Sequence, residues 1–486
     1  MRQLGYDPIG RIDSIAGGGI ERVVSVHHRR RLTRLGHLEQ LDPDQDGWLW
    51  SAGDPRPRDG CDLRVLIDGE EALSAIAAAL ADARSHVHIA GWHLTPDFGL
   101  TRERDAWRLR DLLGELAERV EVRILLWAGA PLPVFKPSRR RVRRERDELI
   151  RGTRVQCALD DRERPMHCHH EKLVIVDGER AFVGGMDLTS LGGDRFDSSE
   201  HPMRGHLGWH DALSEVRGPA VADVADHFAR RWREVEGEDL ALTPPEGETG
   251  DVTIQVVRTV PERIYDFQPR GDFRILEAYV RALRAARELI YLESQFLWAP
   301  QVVGILADKL RHPPSDDLRV VVLLPAKPKD GADTTRGALG VLADADDGAG
   351  RFLAATISGR SGTLTSPVYV HAKIGIVDDR WLTVGSANLN EHSLFNDTEM
   401  NVVTCDSEIS RATRLRLWSE HLERPIEDIS GEPTEVVDEL WRPIAGEQLE
   451  RRRRGDPATH RLRGLPGVSR RSMTLLGPLQ SLLVDG

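Results

Sequence analysis

Nine residues, His169 to Asp177, read His-His-Glu-Lys-Leu-Val-Ile-Val-Asp, and a near copy stands about 200 positions later as His371-Ala-Lys-Ile-Gly-Ile-Val-Asp378. Both satisfy His-x-Lys-x4-Asp. Both are followed after six residues by a small-residue turn, Gly184-Gly185-Met186-Asp187 and Gly385-Ser386-Ala387-Asn388. One offset, 201, relates the His, Lys, Asp and turn positions, so the match is an internal repeat. The chain carries 66 Lys+Arg, yet six of these are lysines, and two of the six fall at matching places in the motifs. The chain's own His, Lys and Asp frequencies give roughly 0.02 chance matches to one motif, and far fewer to a registered pair.

The segments around the motifs repeat as well. Leu63–Ile67 reads as a strand, Glu70–Arg84 as an Ala/Leu-rich amphipathic helix and Val87–Trp92 as a buried strand; Leu109–Glu118 is a second helix and Val120–Trp127 another strand. The second half follows suit: helix Phe273–Arg287, strand Leu289–Glu293, helix Val302–Leu310, strand Leu318–Leu324. Strands alternating with helices predict an α/β fold of two pseudo-twofold-related halves, each a mixed β-sheet flanked by helices. The expected division is an irregular extension over 1–60, a first repeat over 61–240, a second over 250–430 and a charged tail over 431–486. The halves are expected to meet in the Glu/Pro/Gly-rich stretch Arg233–Asp251, and weak order is expected after Trp441.

Apolar content of 40% and charged content of 30% fit a soluble globular chain. Met1–Gly19 has no apolar core of a secretory signal, and the longest apolar stretch, around Leu73–Ala81, is far short of a bilayer span. Cys61, Cys157, Cys168 and Cys405 form no disulfide pattern. A cytoplasmic location follows as the expectation, with peripheral contact at the inner membrane face as an extension of it. The net charge of −12 disfavours binding a polyanion over the whole surface, so no nucleic-acid partner is expected. Positive charge is concentrated in Val134–Arg146 and in Arg451–Arg454, Arg461, Arg463, Arg470 and Arg471. Such runs are read first as solvated faces, and second as attraction to anionic headgroups at roughly 1 kcal/mol per basic residue.

His-x-Lys in an extended strand puts both side chains on one face, with Glu171 or Ala372 pointing away. One copy supplies one imidazole and one ammonium, short of an acid/base pair. Two copies facing each other supply two of each around one pocket. That set suits displacement at a phosphodiester: one neutral His attacks phosphorus, the other protonates the leaving alkoxide, and the lysines neutralise the equatorial oxygens. No metal or other cofactor is required. A zinc site built on His167-Cys168-His169-His170 is the competing reading, weakened because strand neighbours point opposite ways.

These residues resemble the signature of the phospholipase D superfamily, a duplicated His-x-Lys-x4-Asp followed by Gly-Gly or Gly-Ser and Asn. Trp209-His210-Asp211, Gly218-Pro219-Ala220, Phe228–Trp232, Ile290–Phe296, Gly385–Asn390 and Asp397–Asn401 extend the resemblance over about 62 to 425. The resemblance implies a catalytic set of His170, Lys172, Asp177, His371, Lys373 and Asp378. His170 would be the nucleophile forming a phosphohistidine and His371 the general acid, with Asp177 and Asp378 as supports near the pocket. Asp211 and Glu399 would orient the imidazoles, and Asp187, Ser386 and Asn388 would line the phosphate site. Asp187 departs from the commoner Asn, and a carboxylate there would repel a phosphate.

The first functional reading is a phospholipase D-type phosphodiesterase or transphosphatidylase, with a phospholipid at a membrane surface as partner and a monomer with an internal pseudo-dimer as the working unit. The second is cardiolipin synthase-like phosphatidyl transfer. The third is a nuclease of the same superfamily, disfavoured by length and charge. A catalytically dead lipid-binding scaffold is disfavoured by two complete triads.

Overall fold

The computed structural model describes residues 23–44, 47–102, 108–131, 136–164, 167–193, 195–243, 247–327 and 332–465. In the first half, the apolar runs form β1 (Arg58–Ile67), β2 (His86–Gly91), β3 (Glu121–Trp127), β4 (Gln156–Asp160), β5 (Leu173–Val176) and β6 (Arg180–Gly184). After them come the short β7 (Gly208–His210) and β8 (Ala212–Arg217). β2, β3 and β4 pair in parallel, and β2–β5–β6–β8–β1 continue antiparallel. β2 and β3 are almost wholly buried, as expected of parallel strands covered by helices on both faces.

The second half builds the same sheet. Its strands are β9 (Val252–Val260), β10 (Asp272–Phe273), β11 (Leu289–Glu293), β12 (Arg319–Leu323) and β13 (Phe352–Thr356), then β14 (Ser358–Ser361) and β15 (Leu364–Val370). β16 (Ile374–Val377), β17 (Trp381–Gly385), β18 (Glu399–Thr404) and β19 (Arg463–Gly464) complete the set. Parallel β11–β12–β13 and antiparallel β11–β16–β17–β18–β9 copy the first half strand for strand. β1 and β9 then pair antiparallel, so the order reads β13-β12-β11-β16-β17-β18-β9-β1-β8-β6-β5-β2-β3-β4, the same from either end. This palindrome is the pseudo-twofold. The fold is the expected α/β arrangement, with the addition that the two sheets are continuous.

Two apolar clusters cross the junction. Val65, Ile67 and Ala212 pack with Ile374, Val384, Leu417 and Trp418, while Leu173, Ile175 and Val183 pack with Ile254, Met400 and Val402. Each fully buried aliphatic contributes about 1.5–3 kcal/mol, so neither half presents a finished surface alone. β5 and β16 carry the motifs into this seam from opposite sides.

Three sequence expectations need correction. The stretch 1–60 is not irregular throughout: 23–35 is helical and docks on the second half. Leu32 enters the core with Phe273, His28 stacks on Phe395 at 3.9 Å, and buried Arg31 bonds Glu262 and Asn396. Its buried face includes His and Arg, which apolar periodicity does not register. Residues 1–22 lie outside the described residues.

Order also persists beyond Trp441, itself fully buried against Tyr291 and Trp418. Arg442–Arg454 is a helix, and β19 adds antiparallel to β13. Only Ala445 and Gln448 of that helix are buried, so it carries no apolar stripe. The tail over 466–486, with Arg470 and Arg471, lies outside the described residues. The expected linker starts late: Arg233 to Glu236 close the helix Val221–Glu236, which Gly237 caps at φ 74°. Pro244 and Pro245 are outside the described residues.

The basic runs divide. Arg139 and Arg141, in the helix Arg139–Ile150, pair with Glu163 and Glu145, while Arg140, Arg143 and Arg144 are exposed. Buried Arg461 donates to the carbonyls of Ser199 and Glu200 and is a structural tie. No helix among the described residues is long and apolar enough to cross a membrane.

Candidate active site

The motif histidines sit just ahead of β5 and β16, in extended segments held by the opposite half. The amides of His170 and Glu171 both donate to the Thr398 carbonyl, at 2.9 Å each. Those of His371 and Ala372 donate to the His210 carbonyl at 2.8 and 3.1 Å. The residue after each of those carbonyls supplies the carboxylate. His170 Nδ1 lies 3.0 Å from Glu399 Oε1, and His371 Nδ1 lies 2.7 Å from Asp211 Oδ2. Each imidazole is therefore oriented by the other half, across 229 and 160 positions of sequence. Nε2 of each ring is left for chemistry.

The carboxylates are fixed in turn. Glu399 accepts from Ser386 Oγ and, at 2.5 Å, from Ser393 Oγ. Asp211 Oδ1 accepts from the Ala212 amide at 2.9 Å and presses against Gly185, where a Cβ would stand 2.1 Å from it. The Gly of the turn after the first motif is thus required by the catalytic carboxylate. Both lysines fold back on their own histidine: Lys172 Nζ donates to the His170 carbonyl at 2.7 Å, and Lys373 Nζ to that of His371.

Burial pushes the His371–Asp211 pair toward neutral forms. His371 is held well below the ordinary histidine value, first by burial and then by Lys373, Arg195, Lys172 and His170. Burial likewise raises the Asp211 carboxyl. The same four neighbours show that both motifs converge on one centre, where positive charge gathers and an anion would be stabilised.

Other expected site residues are placed differently. Asp177 and Asp378 stand at the far ends of β5 and β16, about 16 Å of extended chain from the lysines. Asp177 accepts from the amides of Arg84, Ser85 and His86, and Asp378 from those of Arg287, Glu288 and Leu289. Each ties its strand to the next one in the sheet and stands apart from the catalytic groups. Asp187 is engaged by the protein itself: Oδ2 pairs with Lys172 Nζ at 3.2 Å, and Oδ1 accepts from the Trp92 amide at 2.9 Å. Its negative charge offsets that of a motif lysine. Ser386 donates to Glu399, while Asn388 Oδ1 accepts from Ser294 at 3.4 Å and Asn388 Nδ2 donates to Gln295 at 3.3 Å.

The dense run His167–His170 forms no common centre. His167 faces Asp397 and His392, His169 faces Asp160 and Thr398, and His170 faces Glu399. Glu171 turns away to bond His227 and Arg231.

Arg195 is the group that sequence reasoning missed. It is buried, its guanidinium lies 3.8 Å over the Trp209 ring, and Trp209 in turn stands edge-on to His371 at 4.7 Å. Nη2 donates to the Leu191 carbonyl, while Nε and Nη1 have no hydrogen-bond partner among the described residues. Two unpartnered donors beside the histidines make a third cation for a phosphate. Arg195 follows Gly192, Gly193 and Asp194 in a stretch of sequence with no periodic or motif signal, so nothing in the sequence singles it out.

Comparison with known proteins identifies relatives of both halves. A family model described as "Phospholipase D" matches residues 79–208, and one described as "Cardiolipin synthase, PLD-like domain" matches 279–418. A phospholipase D A of Dictyostelium discoideum is 27% identical over 75% of this chain and 36% of its own length. A phospholipase D alpha 1 of Cynara cardunculus is 25% identical over 81% of this chain and 69% of its own. The major cardiolipin synthase of Bacillus subtilis is 24% identical over 74% and 71%. The chain thus spans about a third of the Dictyostelium protein. With a duplicated motif, a palindromic sheet that joins the copies, and one family description matching each half, this chain belongs to the phospholipase D superfamily.

Proposed function

We propose that this protein is a phosphodiesterase and transphosphatidylase of the phospholipase D type acting on glycerophospholipids. One observation carries the reading: two imidazoles, each held at Nδ1 by a carboxylate from the other half, share a site with Lys172, Lys373 and Arg195. In the first step His170 Nε2 attacks phosphorus, the bond from phosphorus to the headgroup oxygen breaks, and His371 Nε2 gives that oxygen its proton. A phosphatidyl group is then held on His170 through a P–N bond. In the second step water or an alcohol loses a proton to His371 and attacks phosphorus, breaking that bond. Glu399 and Asp211 fix the tautomers and stabilise whichever ring is cationic. The cations neutralise the oxygens as charge develops, and no step needs a metal.

In the free protein burial and neighbouring cations oppose protonation of His371. An arriving phosphodiester brings a negative charge that offsets those cations, so as substrate binds His371 takes up a proton from solvent, and this is the proton it gives the leaving oxygen. In the first basic run, Arg140, Arg143 and Arg144 are exposed and free to face anionic headgroups.

A cardiolipin synthase-like transfer uses the same two steps with a glycerol-bearing acceptor, and the likeness of the second half to that family description favours it as the second reading. Phosphatidylcholine with ethanol, phosphatidylglycerol alone and single-stranded DNA separate the possibilities. Phosphatidylethanol is the expected product, cardiolipin would favour the second reading, and DNA cleavage without lipid turnover would overturn both.

A further inference from the structure

Next to Asp211, the chain assembles a second cluster that the reaction does not use. Asp68 follows β1, His201 lies in the loop ahead of β7, His210 ends β7, and Glu420 comes from the helix Ser407–Leu422 of the second half. The four side chains are 0–2% exposed. One ligand atom from each lies within 4.8 Å of all the others. Around the ring the separations are 2.9 Å from His201 Nε2 to Glu420 Oε1, 3.1 Å on to His210 Nδ1, 2.9 Å on to Asp68 Oδ1, and 3.4 Å from Asp68 Oδ2 back to His201 Nε2. Bonds of about 2.0–2.1 Å to a tetrahedral zinc would set neighbouring ligand atoms about 3.3 Å apart.

Hydrogen bonding closes this ring poorly. An imidazole N–H points at one acceptor, yet His201 Nε2 and His210 Nδ1 each face two carboxylates. Asp68 Oδ2 is fully buried with no hydrogen-bond partner among the described residues, an arrangement that is costly unless something else satisfies it. A cation at the centre satisfies all four atoms together. The outer contacts fit the same purpose. His210 Nε2 is hydrogen-bonded to Glu293 Oε2 at 2.8 Å, while His201 Nδ1 has Asp197 Oδ2 at 3.3 Å as an ion-pair neighbour without a hydrogen bond. An imidazole with a carboxylate on its far nitrogen is the usual way a metal-binding histidine is aimed.

We propose that Asp68, His201, His210 and Glu420 bind one divalent transition-metal ion, zinc by ligand preference, as a structural cross-link between the two halves. Two imidazoles and two carboxylates in a compact buried set suit zinc, whereas calcium and magnesium need six or more oxygen ligands. Two carboxylates and one dication are neutral, so the ion takes the place of two histidine protons. The ion has no place in the phosphoryl steps. Asp68 Oδ1 accepts from the Asp211 amide at 3.1 Å, and the Asp68 amide donates to the Asp211 carbonyl at 2.8 Å. The site therefore braces the carboxylate that orients His371.

Elemental analysis of the full chain, purified without chelator or immobilised-metal resin, is expected to find one zinc-class ion per molecule. His201→Asn and Glu420→Gln should each abolish it. Wild-type protein stripped by chelator should melt at a lower temperature, and added zinc should restore the original value, which keeps the test decisive if the variants do not fold. Metal-free wild-type protein whose melting is unmoved by added zinc would overturn the proposal and leave a cluster closed by protonated histidines. Both readouts are independent of lipid turnover, so the outcome does not bear on the proposed reaction.

Discussion

At the scale of single residues the site separates chemistry from orientation. His371→Asn removes the proton donor and acceptor of the second half, so labelled phosphatidyl groups should accumulate on His170, while His170→Asn should show none. Trapping the labelled lipid on denatured protein measures this, and the reverse pattern would exchange the two roles. Arg195 tests the electrostatics separately. Arg195→Met should lower kcat by about 10²–10³-fold, the usual cost of removing one charge-stabilising donor. It also removes one of the cations that depress His371, so the His371 pKa should rise. Because His371 must be protonated to act as the acid, the alkaline limb of the kcat/KM profile should therefore move to higher pH. An unchanged profile would place Arg195 outside the site. Lys172→Arg should cost activity even though charge is kept, since a planar fork cannot take the place of an ammonium packed between the His170 carbonyl and Asp187.

At the scale of elements, the segments beside the motif strands carry the precision. Gly185 follows β6 and leaves no room for a side chain beside Asp211. Gly185→Ala should push that carboxylate off His371 Nδ1 and reduce turnover far more than it lowers the melting temperature. Comparing kcat with thermal unfolding checks this. On the other side of the first motif, Glu171 and Arg231 fasten the motif segment to the helix Val221–Glu236. Burial alone would raise the Glu171 carboxyl, but Arg231 and His227 override it and bring it down to about 2. A depressed carboxyl stabilises the fold above its unfolded value and loses that contribution as pH falls through the folded one. Stability should thus decline from about pH 4.5 toward pH 2 in thermal unfolding, and Glu171→Gln should flatten that slope.

At the scale of the whole molecule, the decisive fact is that orientation crosses the seam. Glu399→Gln should behave like a lesion of the first motif, with no trapped intermediate, because it releases His170. Asp211→Asn should behave like a lesion of the second, with intermediate accumulating, because it releases His371. Losses of about 10⁴-fold are expected by analogy with orienting carboxylates in other catalytic triads. Assignment of each carboxylate to its own half would predict the opposite pairing, so single-turnover labelling of the two variants discriminates cleanly.

The sequence by itself determined the repeat, the strand and helix order, the fold class and the two matched His and Lys pairs on which the proposed chemistry rests. Periodicity and motif spacing report on neighbours a few residues apart, and the repeat is read by comparing the chain with itself at an offset of 201, so none of these needs a tertiary contact. It also pointed to Asp211 and Glu399 as orienting groups, but which imidazole each serves was decided by the pairing of β1 with β9 that sets the halves face to face. The same closure turned Asp187 toward Lys172, brought Arg195 over Trp209 and drew Glu420 to Asp68, His201 and His210. The helix over 23–35 was missed because its buried face includes His28 and Arg31, which are satisfied by Glu391, Glu262 and Asn396. Polar groups of this kind are stable in a core only when a distant partner meets them. No local pattern encodes that partner, and only the assembled fold supplies it.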